Sequence, residues 1–242
     1  MKPTLIIVPG WGGTRITWQA FIKRASAEFD VHCIEMPCFG NEPCPTAVWG
    51  IEEYAEFLRT KIEAIKKAAP HQTIYLLAHS FGGQIAVKLL SQDSNLVSGL
   101  ILSGPAIYRH QWTIKNLLFL PLAKLGTILF SLPGLRNGAT KARKVLYKLA
   151  ASPDYNRTGG IERDIFKTIT KQDVSDCLPR LNLPVAFIAG GHDRYVRSRD
   201  TARAAKTITN ATFTLIPEGR HGLHHTHPDL LLTEITNLIA RP

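Results

Sequence analysis

Residues 73–90 read TIYLLAHSFGGQIAVKLL, and this stretch decides the fold. Residues 73–77 are a short β-prone apolar run, and the apolar residues of 84–90 recur at helical spacing. The pattern therefore predicts a strand, a sharp turn and a helix. A serine on such a turn points its hydroxyl out of the end of a sheet, and the helix N-terminus supplies free N–H groups. Ser80 is a candidate nucleophile, and a helix-capping serine is the alternative.

The rest of the chain alternates strands with helices. Apolar runs bounded by glycine or proline predict strands at 4–8, 31–36, 99–104, 184–190 and 211–217, and periodic segments predict helices at 18–29 and 51–67. Such alternation indicates a mostly parallel, doubly wound α/β sheet with right-handed crossovers. Functional residues are then expected at the carboxyl ends of the strands. The glycine-rich residues 9–14 lie at such an end, and they match neither phosphate-binding glycine pattern.

Composition indicates a globular chain with an uneven charge distribution. The 242 residues suit one α/β domain, and the net charge is +10. Residues 106–171 contain twelve lysines and arginines and three acids, which places +9 of that charge in one segment. The segment also interrupts the alternation of strands and helices.

Three side chains in chain order provide the groups that nucleophilic catalysis needs. Ser80 would attack, His221 would take its proton, and Asp193 would orient the histidine. Asp173 and Asp200 compete for the acidic role, but only Asp193 directly follows a buried strand in a Gly-Gly turn.

The histidines near the C-terminus leave a second interpretation open. His224, His225 and His227 lie close to His221, and a histidine cluster is a candidate metal site. No carboxylate or cysteine is placed to complete it. We therefore expect neither a metal nor a cofactor.

Four motifs together resemble the α/β-hydrolase fold family over nearly the whole chain. They are VPGWG at 8–12, HSFGG at 79–83, GGHD at 190–193, and His221 followed by His227 and Pro228. The resemblance implies a serine hydrolase with the triad Ser80, Asp193 and His221. It also implies an oxyanion hole made of the backbone N–H groups of Trp11 and Phe81.

The chain departs from the family pattern at three places. Ala78 replaces the first glycine of G-x-S-x-G, Pro9 stands where the family usually has histidine, and residues 35–41 read EMPCFGN in place of D-x-P-G-x-G-x-S. A serine at position 80 argues against haloalkane dehalogenases and epoxide hydrolases, which use aspartate there. The Gly10-Trp11-Gly12 loop and residues 221–228 are similar to those of pimeloyl-carrier-protein methyl ester esterases.

The predicted domain organisation is a hydrolase core, residues 1–105 and 177–242, with a helical lid inserted at 106–176. Residues 112–135 are strongly apolar, but Lys115, Lys124 and Pro121 break the run, which argues against a membrane span. The segment fits two lid helices packed on the core, or an acyl-chain channel with a basic exterior. The resemblance to the carrier-protein esterases implies an acidic acyl carrier as partner; an anionic membrane surface or an anionic substrate would also suit the charge. No nucleic-acid partner is expected, because no binding motif is present.

The predicted function is hydrolysis of carboxylic esters with a medium apolar acyl group. A thioesterase, a lipase or a C–C hydrolase would use the same triad, and a non-catalytic binding protein that docks acidic partners on the basic lid is the alternative from another class. Cys33, Cys38, Cys44 and Cys177 contain no C-x-x-C pair, so we expect reduced thiols. With no recognisable signal peptide, the predicted location is the cytoplasm.

Overall fold

The computed structural model describes residues 2–109 and 158–241. Strands and helices alternate along these residues, with two short 3₁₀ turns at Ser94–Leu96 and Ser175–Arg180. In chain order the elements are β1 (Thr4–Val8), α1 (Gln19–Ala25), β2 (Asp30–Cys33), α2 (Ile51–Ala68), β3 (Ile74–His79), α3 (Phe81–Gln92), β4 (Gly99–Ser103), α4 (Gly160–Ile169), β5 (Val185–Gly190), α5 (Ser198–Ala205), β6 (Ala211–Ile216), α6 (Leu223–Thr226) and α7 (Pro228–Ile239).

The strands form one parallel sheet in the order β2-β1-β3-β4-β5-β6. Its register aligns Val8 with Ala78 and His79 with Ser103, so β1, β3 and β4 end at the same edge. The predicted doubly wound α/β sheet is confirmed. Because all strands run one way, the loops after β1, β3, β5 and β6 meet at the carboxyl edge of the sheet.

Helices cover both faces of the sheet. On one face α2, α3 and α4 pack over Leu76, Leu100 and Phe187, and on the other α1 and α7 pack over Leu77 and Ile101. Successive strand residues therefore point into different apolar clusters, as expected of a sheet buried on both sides. None of the helices in the described ranges is long and apolar enough to cross a membrane.

Two predicted elements are shorter than expected. The second strand was predicted to reach residue 36 but ends at Cys33. The Ile34 N–H still donates to the Ile7 carbonyl at 2.9 Å, but the next donor of the ladder would be Pro9, which has no N–H. The first helix ends at Ala25 rather than 29, and the Phe29 N–H still donates to the Ala25 carbonyl in the following turn.

The predicted lid lies mostly outside the described residues. Its described parts are 106–109 and 158–176, which include α4, and the Val174 N–H donates to the Ile107 carbonyl at 3.0 Å where the two parts meet. The apolar run 112–135 and eight of the twelve basic residues fall within 110–157. The division into core and lid stays a prediction.

The expectation of four reduced cysteines is wrong for one pair. Cys38 and Cys44 form a disulfide, while Cys33 and Cys177 are free. The loop after β2 folds back on itself, since the Cys38 N–H lies 3.2 Å from the Glu42 carbonyl, and this brings the two sulfurs together. The absence of a C-x-x-C pair gave no information about a loop that closes over six residues.

Candidate active site

Ser80 lies in the sharp turn between β3 and α3. Its φ of 52° and ψ of −114° are rare for a residue with a side chain, and such backbone strain is concentrated at functional sites. Two hydrogen bonds hold the turn: the Ser80 N–H donates to the Ser103 carbonyl at 3.1 Å, and the Ser80 carbonyl accepts from the Ala106 N–H at 3.0 Å. The serine is therefore fixed between the end of β4 and the start of the predicted lid.

Close packing explains the small residue at position 82. A Cβ on Gly82 would lie 2.4 Å from the Val8 carbonyl oxygen, a distance that requires the backbone to move. The turn thus approaches the end of β1 directly. This approach brings the glycine-rich loop after β1 against the serine, and a Cβ on Gly10 would lie 3.2 Å from the Ser80 Cβ.

The structure brings Asp193 and His221 together. His221 Nδ1 lies 2.7 Å from Asp193 Oδ2, with the histidine side chain 18% exposed and the carboxylate 1% exposed. The other carboxylate oxygen accepts from the N–H groups of Tyr195 at 2.7 Å and Val196 at 2.9 Å. Because an ionised carboxylate only accepts, His221 Nδ1 is the protonated nitrogen and Nε2 keeps its lone pair.

The two competing acids are bound elsewhere. Asp173 accepts from the Arg109 N–H at 2.7 Å and from Ser175, and Asp200 lies 4.0 Å from Arg199. Within the described ranges neither contacts His221. Asp193 is therefore the acid that the fold places against the candidate base.

His221 also lies beside the serine turn. Its ring centroid is 4.6 Å from that of His79, the residue before Ser80. The Ser80 hydroxyl has no hydrogen bond to another described residue. Hydrogen bonds between catalytic groups are often formed only when substrate is bound. The missing hydrogen bond is therefore compatible with His221 acting as the base for Ser80.

The remaining histidines do not assemble a metal site. Within residues 2–109 and 158–241, no group of histidine, cysteine and acidic side chains has the geometry to hold a metal ion. His224 stacks on Trp18 at 3.8 Å, and burial lowers its pKa to about 2, so it is a neutral ring in the apolar core. Its Nδ1 has no partner among the described residues.

The other predicted site residues, Trp11 and Phe81, lie in a cluster of aromatic rings. The Trp11 ring contacts Phe39, Phe81 and Phe166 edge-on, at centroid distances of 4.8, 5.4 and 5.0 Å. The backbone N–H groups of Trp11 and Phe81 donate to no other described residue, and Phe81 begins α3, where the N–H groups are free and the helix dipole is positive. We call Trp11, Phe39, Phe81 and Phe166 the aromatic side.

Sequence reasoning missed the residue that joins the two loops of the aromatic side. Glu35 accepts from the Arg15 N–H at 2.8 Å through one carboxylate oxygen and from the Asn41 N–H at 2.9 Å through the other. It thereby ties the loop after β1 to the loop after β2. Its position, at the start of the motif EMPCFGN that departs from the family pattern, is the signal that could have identified it.

Comparisons with known proteins agree with this architecture. Residues 1–228 match the family described as Serine aminopeptidase, S33 (Hydrolase_4). The chain is 22% identical to a pimeloyl-acyl-carrier-protein methyl ester esterase of Vibrio atlanticus over 99% of this chain and 95% of the relative. It is 28% identical to the enzyme of that name from Proteus mirabilis, over 94% and 89%.

A solved structure, the bromoperoxidase from Bacillus anthracis, superimposes with a TM-score of 0.73 at 16% identity, covering 100% of this chain and 93% of that one. This likeness concerns the fold. The predicted α/β-hydrolase fold and the predicted hydrolase class are confirmed by the family match. The chain belongs to the Serine aminopeptidase, S33 (Hydrolase_4) family of α/β-hydrolase-fold enzymes.

Proposed function

We propose that this protein cleaves carboxylic esters through a Ser80-His221-Asp193 triad and an acyl-enzyme. His221 Nε2 takes the Ser80 proton while Ser80 Oγ attacks the ester carbonyl, and the Trp11 and Phe81 N–H groups stabilise the oxyanion. His221 then gives its proton to the leaving alkoxide, which departs as the alcohol. Water, activated by the same histidine, releases the carboxylic acid and restores Ser80.

The observation that carries the proposal is the Asp193–His221 hydrogen bond beside a strained serine. A carboxylate that is 1% exposed, holds the histidine at 2.7 Å and accepts two further backbone hydrogen bonds is fixed in position. It favours the tautomer whose Nε2 can accept a proton and stabilises the imidazolium that forms. A helix-capping serine would not account for this arrangement.

The aromatic side supports an apolar acyl group. Trp11, half-buried among the rings of Phe39, Phe81 and Phe166, lies in the loop that would also supply an oxyanion N–H. An acyl chain bound to the carbonyl would therefore leave the reaction centre along these rings. Aromatic faces bind methylene groups favourably because both are removed from water.

We further propose that the acyl group is delivered by an acidic acyl carrier protein. The relatives of Vibrio atlanticus and Proteus mirabilis carry that substrate in their names, and the predicted lid carries most of the net positive charge. Complementary charge speeds association and is screened by salt. A methyl ester on a carrier should therefore be cleaved with a higher kcat/KM than the same free ester, and 0.5 M salt should abolish the difference.

The test of the reaction is hydrolysis of p-nitrophenyl esters of two to twelve acyl carbons. We expect turnover by the parent and a loss of at least about a thousandfold in Ser80→Ala, since the nucleophile is removed. Ser98→Ala, at an exposed serine, is the matched control and should keep the parent rate. Equal rates in parent and Ser80→Ala would overturn the proposal.

The cytoplasmic location remains a prediction. Disulfides are typical of oxidising compartments, and the Cys38–Cys44 pair does not support a reducing one. Alkylation of protein isolated under acid quench would show which state the cell maintains: two reactive thiols for the disulfide form, four for the reduced form.

A further inference from the structure

His79 is a buried polar residue that the proposed mechanism does not use. It ends β3, immediately before Ser80, and is 6% exposed. Its ring lies 4.6 Å from the His221 ring, centroid to centroid, at an interplanar angle of 49°. No other ring of β3 contacts the candidate base.

One hydrogen bond fixes both the orientation and the protonation of His79. Nδ1 lies 2.8 Å from the Ser103 carbonyl oxygen, which only accepts, so Nδ1 carries the proton. Burial, and then the neighbouring His221, lower the pKa of His79 to about 3, against the raising effect of the Ser103 carbonyl. The ring is therefore neutral at any pH at which an esterase works.

The His79 side chain is also tied to the loop after β1 and to the turn that carries Ser80. A Cβ on Gly10 would lie 3.1 Å from His79 Cδ2, so the loop after β1 packs against the His79 ring. We call this loop, which carries the proposed oxyanion N–H group of Trp11, the oxyanion loop. The Ser103 carbonyl that accepts from His79 also accepts from the Ser80 N–H at 3.1 Å. His79 thus links the nucleophile turn, the base and the oxyanion loop.

We propose that His79 is a positioning residue that holds the His221 ring in the orientation in which Nε2 faces Ser80. This rests on the proposed function. Asp193 fixes His221 only at Nδ1, and a ring held at one atom can still swing about that bond. The neutral His79 ring supports one face of the imidazole and repels no charge when His221 becomes protonated.

Other groups also face the candidate base. Tyr195 contacts its ring at 4.9 Å between centroids, Asp193 binds its Nδ1, and the neutral His224 interacts with it electrostatically from α6. The exposed His225, also in α6, acts on His79 and His224. Among the described residues that contact the His221 ring, His79 is the one that directly precedes Ser80 in the chain. Removing it would admit water to His221, which favours the charged imidazolium.

The test compares His79→Ala, His79→Phe and His79→Asn in ester hydrolysis, with rates normalised to the folded fraction measured by urea unfolding. The Ala variant should lose about 10- to 100-fold in kcat with KM changed less than about threefold, and the acid limb of kcat/KM should move to higher pH. His79→Phe keeps a ring against His221, so kcat and the position of the acid limb should both return most of the way to the parent values. Asn keeps a donor for Ser103 but no ring, and should behave like Ala.

A purely structural role would lower the stability of all three variants and leave normalised kcat and the acid limb unchanged, which would overturn the inference. A second readout needs no turnover. The histidine NMR titration, assigned with His221→Gln, should show the Nδ1–H signal of His221 broadened by exchange with water in His79→Ala and sharp in His71→Ala, at an exposed histidine.

The two proposals fail in different ways. A parent protein as inactive as Ser80→Ala overturns the proposed function, and the NMR titration then decides the role of His79. An active parent, with a sharp His221 Nδ1–H signal and unchanged kcat in His79→Ala, overturns the positioning role and leaves the proposed esterase activity intact.

Discussion

The two sides of the site are built by different interactions. Asp193 and His221, from the loops after β5 and β6, are held by short directional hydrogen bonds, three of them on one buried carboxylate. We call this pair the acid–base side. The aromatic side is held by edge-on ring contacts of 4.8 to 5.4 Å, and its candidate catalytic groups are backbone N–H groups.

This difference assigns the reaction chemistry to the acid–base side and the selectivity among esters to the aromatic side. A hydrogen-bonded pair works in one geometry, so small changes of atom type should abolish its function. Ring packing tolerates changes of shape, and a backbone N–H survives any side-chain substitution. We therefore expect substitutions on the acid–base side to change kcat for all esters, and substitutions on the aromatic side to change which esters are preferred.

The largest effect is expected from Asp193→Asn. The amide keeps an oxygen for the N–H groups of Tyr195 and Val196, so the loop should fold, but its NH₂ group would favour the wrong tautomer of His221. We expect kcat to fall by about 10³- to 10⁴-fold for every acyl length. Asp200→Asn, at the competing acid, should keep the parent rate. Similar rates in the two variants would mean that Asp193 is not the acid.

An intermediate effect is expected on stability, because the buried histidines of the described residues, His79 and His224, lie beside the acid–base side. The pKa of His224 is lowered to about 2, so between pH 2 and 6.5 the unfolded chain binds a proton that the folded chain does not. The free energy of unfolding should therefore fall as pH drops below 6.5.

His224→Phe keeps the stack on Trp18 and removes this proton. In urea unfolding at pH 7 and pH 5, the parent should lose about 2 kcal/mol more than the variant over this interval. His71→Phe, at an exposed histidine, should leave the pH dependence as it is. Parallel curves for the parent and His224→Phe would show that His224 is not buried neutral.

The smallest effect is expected from Trp11→Ala on the aromatic side. Its backbone N–H remains, so acetate ester hydrolysis should change little, whereas esters of eight or more carbons should lose about tenfold in kcat/KM. Trp49→Ala, which removes ring contacts to Tyr54 and Phe57 outside the aromatic side, should not change the chain-length preference. An equal loss for short and long esters in Trp11→Ala would contradict the assignment of ester selectivity to the aromatic side.

The fold followed from the sequence because β1, β3, β4 and β5 are nearly continuous apolar runs and α2 is amphipathic. Residues 4–8 and 51–67 were predicted within one residue of the observed β1 and α2. The end of β2 was not predicted, since it depends on a pairing contact that Pro9 cannot make rather than on periodicity. The Cys38–Cys44 pairing was missed because it depends on how the loop after β2 folds back on itself.

The candidate site residues are predicted from the sequence where a strand end and a glycine turn mark them, and their roles stay a prediction. Ser80, Asp193 and His221 follow β3, β5 and β6, and parallel strands bring their carboxyl ends to one edge. Glu35 carries no such signal, because it binds backbone N–H groups of two loops, and His79 lies at the strand end but its contacts with Ser103 and His221 are not readable from the motif. The contacts of both residues were identified only from interatomic distances in the structure.

The most direct test of the account is reaction of the folded protein with a fluorophosphonate, followed by peptide mass mapping. We expect a single adduct on Ser80, formed much more slowly in His221→Ala, because the phosphonate requires an activated serine in the triad. Absence of an adduct in folded protein, or an adduct at another serine, would contradict the assignment of Ser80 as the nucleophile.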